Sequence, residues 1–120
     1  MLFDSNLIIY AARPDYSILR DFIAEHNPSV SAISYVEVLG YHNLEEKELQ
    51  YFEGYFSSIE VISISEEILI RAVSLRQQRK MGLGDALIAG TALTHGLTVV
   101  THNVKNFEWI DGLEVLDPLS

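Results

Sequence analysis

Three acidic residues stand where apolar runs give way to helical patterning. Asp4 follows Met-Leu-Phe and opens Asp4-Ser5-Asn6. Glu37 sits inside the otherwise apolar and aromatic run from Ser34 to Tyr41. Asp85 follows Gly82-Leu-Gly84 at the mouth of the very apolar stretch Asp85-Ala-Leu-Ile-Ala-Gly90. Each has a local explanation, because Asp4 and Asp85 are good N-caps and Ser34-x-x-Glu37 reads as a capping box. Gathered at one edge, however, like-charged carboxylates repel, and a hard divalent cation such as Mg²⁺ or Mn²⁺ offsets that repulsion. Helix N-termini are electropositive and suit a phosphate oxygen. Metal-assisted attack of water on a phosphodiester uses all of these parts. Other nucleophiles fare worse, since the chain has no cysteine, no G-x-S-x-G elbow and no H-E-x-x-H helix.

The elements that must position these acids alternate. Short apolar or β-branched runs at MLFD, SVSAI, IEVISI, LTVVT and LEVL read as strands, with helical periodicity between most of them. Two helices flank a break at Arg13-Pro14, and His26-Asn27-Pro28 ends the second. Another helix runs from Ser34 toward Tyr41. A further one begins in the acidic Leu44-Glu-Glu-Lys-Glu48 and ends near Gly54-Tyr55-Phe56. Ser65 opens a helix through Arg79, and Gly84-Asp85 starts the last, Ala86 to His95, with Gly96 as its C-cap. Such alternation predicts an α/β fold with a mostly parallel central sheet covered by helices on both faces. In such folds the functional crevice lies beyond the carboxyl ends of the strands, which is where the three acids fall.

A chain of 120 residues without a repeat or linker reads as one domain over 1–120. With 48% hydrophobic and 21% charged residues it is ordinary for a soluble protein, and no stretch is apolar enough for a membrane span. The N-terminus has no basic start and is a poor signal peptide, and cysteine is absent, so the expectation is a cytoplasmic protein. Eight Lys and Arg against seventeen Asp and Glu give −9, which argues against nucleic-acid binding by bulk charge. Half of the basic residues, though, fall in RAVSLRQQRK: Arg71, Arg76, Arg79 and Lys80 are the expected surface for any nucleic-acid backbone, a solvated helix face being the alternative.

The segments FDSNLIIY, SAISYVEVLGY, GLGDALIAGTALTHGLTVVTHNVKNF and GLEVLDP, which span nearly the whole chain, resemble the PIN-domain ribonucleases, specifically VapC-type toxins of toxin–antitoxin pairs. The resemblance implies a PIN-like three-layer α/β/α sandwich and a Mg²⁺- or Mn²⁺-dependent endoribonuclease acting on RNA. It also implies inhibition by a cognate antitoxin, and usually a homodimer. It makes Asp4, Glu37 and Asp85 the metal ligands, with Ser5 and Thr101 supporting. The chain departs from the family where a fourth acid is common: both candidate positions are asparagine, Asn103 and Asn106. Asn103 can still offer a neutral oxygen and completes the expected catalytic set. A catalytically weak or inactive PIN domain acting as a binding module is therefore the alternative. A receiver-like phospho-acceptor ranks low, because Asp4 has no acidic neighbour and Lys105 is its only candidate lysine. Asp111 and Asp117 read as turn residues, none of the four histidines reads as a ligand, and Tyr51, Phe52, Tyr55 and Phe56 read as packing or a partner surface.

Overall fold

The computed structural model describes residues 1–120. In chain order the elements are β1 (Leu2–Phe3), α1 (Ser5–Ala11), a 3₁₀ turn (Pro14–Tyr16), α2 (Ser17–His26), β2 (Val30–Ser31), α3 (Ala32–Leu39) and α4 (Glu46–Ser57). There follow β3 (Val61–Ile62), α5 (Glu66–Gln78), α6 (Leu83–His95), β4 (Val99–Val100), a second 3₁₀ turn (Val104–Asn106) and β5 (Val115–Leu116). All five expected strands form, each with only two residues in regular pairing. Every pairing is parallel. β1 lies against β4 with Leu2 opposite Val99 and Phe3 opposite Val100, β4 against β5, and β2 against β3. A parallel bridge between Leu2 and Ser29 joins the trio to the pair.

Two strand residues suffice to build two cores, because neighbouring side chains point to opposite faces. Phe3, Val30 and Val100 pack on one side with Leu7, Ile8, Leu19, Val38, Phe52 and Phe56 of α1 to α4. Leu2 and Val99 pack on the other with Leu75 of α5, Ile88, Ala89 and Ala92 of α6, and Phe107 and Ile110. The result is the expected three-layer α/β/α arrangement. Helix ends follow local chemistry: Asn27 takes a left-handed φ of 44° before Pro28, and Gly96 caps α6 at φ 64°. No helix is long and apolar enough to cross a membrane.

Two helix starts differ from expectation. α3 begins at Ala32, because Ser31 is its N-cap and accepts a hydrogen bond from the Ile33 amide at 3.2 Å. Ser34 is thus a buried residue of the first turn, and Ser34–Glu37 is not a capping box. The reciprocal box belongs instead to Glu45 and Glu48 at the start of α4. α6 begins at Leu83, one turn earlier than Ala86, with Gly82 as N-cap and Asp85 in its first turn.

α5 and α6 approach so closely that a Cβ on Gly90 would lie 2.9 Å from the Ile68 carbonyl oxygen and 3.4 Å from the Ala72 amide. Backbone cannot swing aside as a side-chain tip can. Gly54, within α4, has no atom within 4 Å of such a Cβ. Gly54→Ala should stabilise the protein by about 0.5–1 kcal/mol through helix propensity. Gly90→Ala should destabilise it by about 1–3 kcal/mol, overpacking outweighing the same propensity gain. Urea denaturation of both variants tests the pair, and a stabilised Gly90→Ala would mean the helices are free to separate.

Candidate active site

Asp4 ends β1 and is the N-cap of α1, yet its side chain makes no cap bond to that helix. The Asp4 amide donates to the Val100 carbonyl at 2.9 Å, fixing the residue at the carboxyl edge of the sheet. Only 3% of the residue is exposed. Its Oδ2 accepts from the buried Thr101 hydroxyl at 2.8 Å, and that oxygen in turn accepts from the Asn103 amide at 3.0 Å. The amide therefore aims the threonine proton at the carboxylate. Burial pushes the Asp4 pKa up to about 6; the charges of Asp85 and Glu37 push the same way, while the Thr101 hydrogen bond resists.

Glu37 is the sixth residue of α3, so it reaches the site from the side of a helix and not from a helix entrance. Its Oε1 lies 2.7 Å from Ser5 Oγ, which is also 2.8 Å from Ser34 Oγ. A carboxylate only accepts and a hydroxyl has one proton, so Ser5 donates to Glu37 and Ser34 donates to Ser5. Ser5 and Ser34 are buried, and this relay ties α1 to α3. Opposite, Glu37 packs on the first turn of α6: a Cβ on Gly84 would overlap its carboxylate. Gly84 is a site residue that the sequence pattern alone leaves unassigned.

Asp85 is half-buried, and its pKa is raised by burial first and by the Glu37 charge second. Its Oδ2 accepts from Asn106 Nδ2 at 3.2 Å, a bond that moderates the shift. Asn106, not Asn103, thus touches an acid; the Asn103 side chain is exposed and makes no hydrogen bond to any of the three. The difference follows from the 3₁₀ turn, which carries Asn106 back over α6 while Asn103 spends its amide on Thr101.

No cation of the chain neutralises these acids, since its ion pairs are Glu25–His26, Glu67–Arg71 and Asp117–His102. Nor do three carboxylates close into a ready-made cage for a metal ion. The donor set nevertheless fits a hard cation. It is all oxygen, buried at Asp4 and half-buried at Asp85, and short of positive charge, and Mg²⁺ takes only one or two carboxylates directly while keeping much of its water.

The expected basic surface divides. Arg79 and Lys80 line a cavity that opens on Asp85. Arg76 donates to the Met81 carbonyl at 3.3 Å and braces the turn into α6. Arg71 pairs with Glu67 at 3.2 Å beside a separate groove with Leu93 and Ile110. The split arises because α5 ends at Gln78, so Arg79 and Lys80 leave the helical period that Arg71 obeys. Asp117 is a turn residue as expected, its Oδ1 accepting from the Leu119 amide at 2.9 Å. Phe52 and Phe56 are core, while Tyr51 is exposed.

Known proteins share this fold. Residues 1–113 match the family model described as the PIN domain. A curated relative from Shigella flexneri, a tRNA(fMet)-specific endonuclease VapC, is 28% identical over 97% of this chain and 96% of its own. The structure of DNA-bound VapBC from Salmonella typhimurium aligns with a TM-score of 0.86 at 27% identity, over 98% of this chain and 96% of that one. A toxin–antitoxin complex from Klebsiella pneumoniae aligns with a TM-score of 0.78 at 31% identity, over 98% and 96%. With acids converging at the carboxyl edge of a parallel three-layer fold and a family match over nearly its whole length, the chain belongs to the PIN-domain family.

Proposed function

We propose that this protein is a divalent-metal-dependent endoribonuclease, the toxin of a toxin–antitoxin pair, working in the cytoplasm as a single domain over residues 1–120. The observation that carries the reading is Asp4: a buried carboxylate whose pKa rises to about 6 beside two further acids with no internal counter-ion. The VapC names of the full-length relatives support the same chemistry. Asp4, Glu37 and Asp85 would hold Mg²⁺ or Mn²⁺, which when bound acts as Lewis acid and activates water for in-line attack on an RNA phosphate. Thr101 fixes the rotamer of Asp4, and Ser5 fixes that of Glu37. Asn106 steadies Asp85 without adding charge, and Asn103, its backbone amide held by Thr101, keeps its exposed side-chain carboxamide for water or RNA. Arg79 and Lys80 guide the RNA backbone toward Asp85, with Arg76 holding their turn in place. Arg71 lines a separate groove, away from that path.

A second reading, a weak or inactive PIN domain that binds without cutting, is favoured by Asn106 standing where an acid would strengthen the site. Cleavage of single-stranded RNA with and without Mg²⁺ or Mn²⁺ decides between them. Asp85→Asn and Glu37→Gln should each lower metal-dependent cleavage by more than about 100-fold with near-native unfolding midpoints, because they remove ligand charge without removing packing. Ser5→Ala, which only frees the Glu37 carboxylate, should weaken apparent metal affinity by about 10- to 100-fold. Full activity in Glu37→Gln would remove Glu37 from the site.

The raised Asp4 pKa gives a stability test. The folded state holds this proton more tightly than the unfolded chain, so Asp4 favours folding below pH 4 and that contribution is lost as pH rises toward 6. By pH 7 without metal the ionised group should cost about 3 kcal/mol relative to acid conditions. In EDTA, Asp4→Asn should therefore gain stability over wild type at pH 7 and not at pH 4. Added Mg²⁺ should narrow the gap by stabilising wild type alone. Equal stabilities at pH 7 would mean that burial of Asp4 is harmless.

For partners, α5 presents Leu69, Ile70 and Val73 at 49, 62 and 57% exposure, an exposed apolar strip suited to a self-complementary homodimer contact. The cleft between α1, α3 and α4, lined by Ile9, Val38, Tyr41, Leu44 and Phe52, is concave and suits an apolar antitoxin segment. Ile70→Glu with Val73→Glu should abolish self-association in sedimentation while leaving antitoxin binding intact. A double variant that still dimerises would move the interface elsewhere.

A further inference from the structure

Of the chain's eight Lys and Arg residues, three converge on one cavity: Arg79 and Lys80 from the end of α5 and Lys105 from the 3₁₀ turn. The cavity measures about 210 Å³ and is completed by Asp85, Asn106 and Trp109. None of the three cations is paired with a carboxylate. In a protein of net charge −9 this is an isolated pool of positive potential, and it opens directly on an acid of the candidate site.

The sole tryptophan gives the cavity an aromatic wall. Trp109 Nε1 donates to the Asn106 carbonyl at 3.0 Å, so the indole cannot turn away. The Arg79 guanidinium carbon sits over the ring, 5.1 Å from its centroid. A delocalised planar cation on a fixed aromatic face is a surface on which a base can stack, either on the guanidinium or on the indole in its place. The lysines supply point charges for a phosphate. An acidic peptide would satisfy the lysines but leave the stacking surface unused.

We propose that this cavity is a nucleotide subsite next to the scissile phosphate: Lys80 and Lys105 hold the neighbouring phosphate, and the Trp109–Arg79 pair takes its base. The assignment rests on the ribonuclease reading for the position of the scissile bond, and Trp109 and Lys105 extend it to residues outside the metal-binding acids. Because Asn106 is held by Trp109 and itself holds Asp85, an occupied subsite is rigidly registered to the acids. Binding there contributes affinity and base preference and leaves the chemical step to the carboxylates.

Trp109 is also its own probe, being the only tryptophan. In EDTA, where metal-dependent cleavage is silent, a single-stranded hexaribonucleotide should quench its emission, and added salt should reverse the quench. By anisotropy of 5′-labelled hexamer, Trp109→Leu should lose affinity about 10-fold, the usual effect of removing one stacked base partner. Trp109→Phe should recover most of that loss, although it too lacks the hydrogen bond to Asn106. Lys80→Ala with Lys105→Ala should weaken binding and flatten its salt dependence. In the cleavage assay these variants should raise KM and change kcat little. Equal losses for Leu and Phe would show that the indole acts only by bracing Asn106, and no quench would show that bases do not reach the cavity; either overturns the subsite. Quenching by polyglutamate as strong as by RNA would reassign the cavity to a protein partner. Failure of the subsite with cleavage intact leaves the nuclease standing, whereas normal quenching without any metal-dependent cleavage sinks the nuclease and keeps the subsite.

Discussion

Burying Asp4 at the end of β1 removes a carboxylate from water, and the surroundings of the sheet edge are arranged around that penalty. Two further acids approach it from α3 and α6, and each raises the free energy of the charged state. The fold answers with neutral donors only. Thr101 serves Asp4, Ser5 serves Glu37 and Asn106 serves Asp85. A neutral hydrogen bond orients a carboxylate and moderates its pKa but leaves its charge in place. A lysine at any of these positions would have neutralised the cluster and filled the space where a cation belongs. Net negative charge thus survives around a buried carboxylate, and that is the property a divalent ion would use.

The same donors carry the architecture. Ser5 opens α1 and Ser34 lies in the first turn of α3, so the hydroxyl relay to Glu37 ties those two helices together. Thr101 follows β4, whose backbone already holds Asp4 through Val100. Gly84 lets the Glu37 side chain rest on α6, and Gly90 lets α6 rest on α5. Each glycine acts at a close approach, where bulk and not backbone freedom is the issue. Without the first, Glu37 would be driven off the turn that carries Asp85.

How much of this could be read from the sequence depended on distance along the chain. Asp4 and Asp85 were legible because each sits within a residue or two of a strand end or helix start, where local rules apply. The five strands and the layer order were legible from alternating apolar runs, although the regular pairing proved shorter than the runs. The structure sets Glu37 beside Asp85, but the capping box that was the local alternative for it does not form. Ser31 competes with Ser34 for the cap and wins, because β2 is only two residues long and Ala32 readily begins a helix. The tie between Glu37 and Ser5 spans 32 residues, and only packing reveals it. The basic segment divides for a related reason. Four cations within ten residues read as one face, but the end of α5 turns Arg79 and Lys80 toward the acids and leaves Arg71 with Glu67.

Charge on this molecule is therefore a matter of placement more than of sum. A net −9 disfavours long-range attraction of a polyanion, and exposed charges are screened beyond about 8–10 Å at physiological ionic strength. Within that range the balance beside Asp85 is reversed, because Arg79, Lys80 and Lys105 outnumber the one acid lining their cavity. On the proposed subsite, a polyanionic strand would be repelled from most of the surface and held only where the cations and the carboxylates lie side by side. Repulsion elsewhere sharpens this preference, since it weakens non-productive binding more than it weakens contact at the one positive mouth. The acidic composition that first argues against a nucleic-acid partner would, with that subsite, confine where such a partner can dwell.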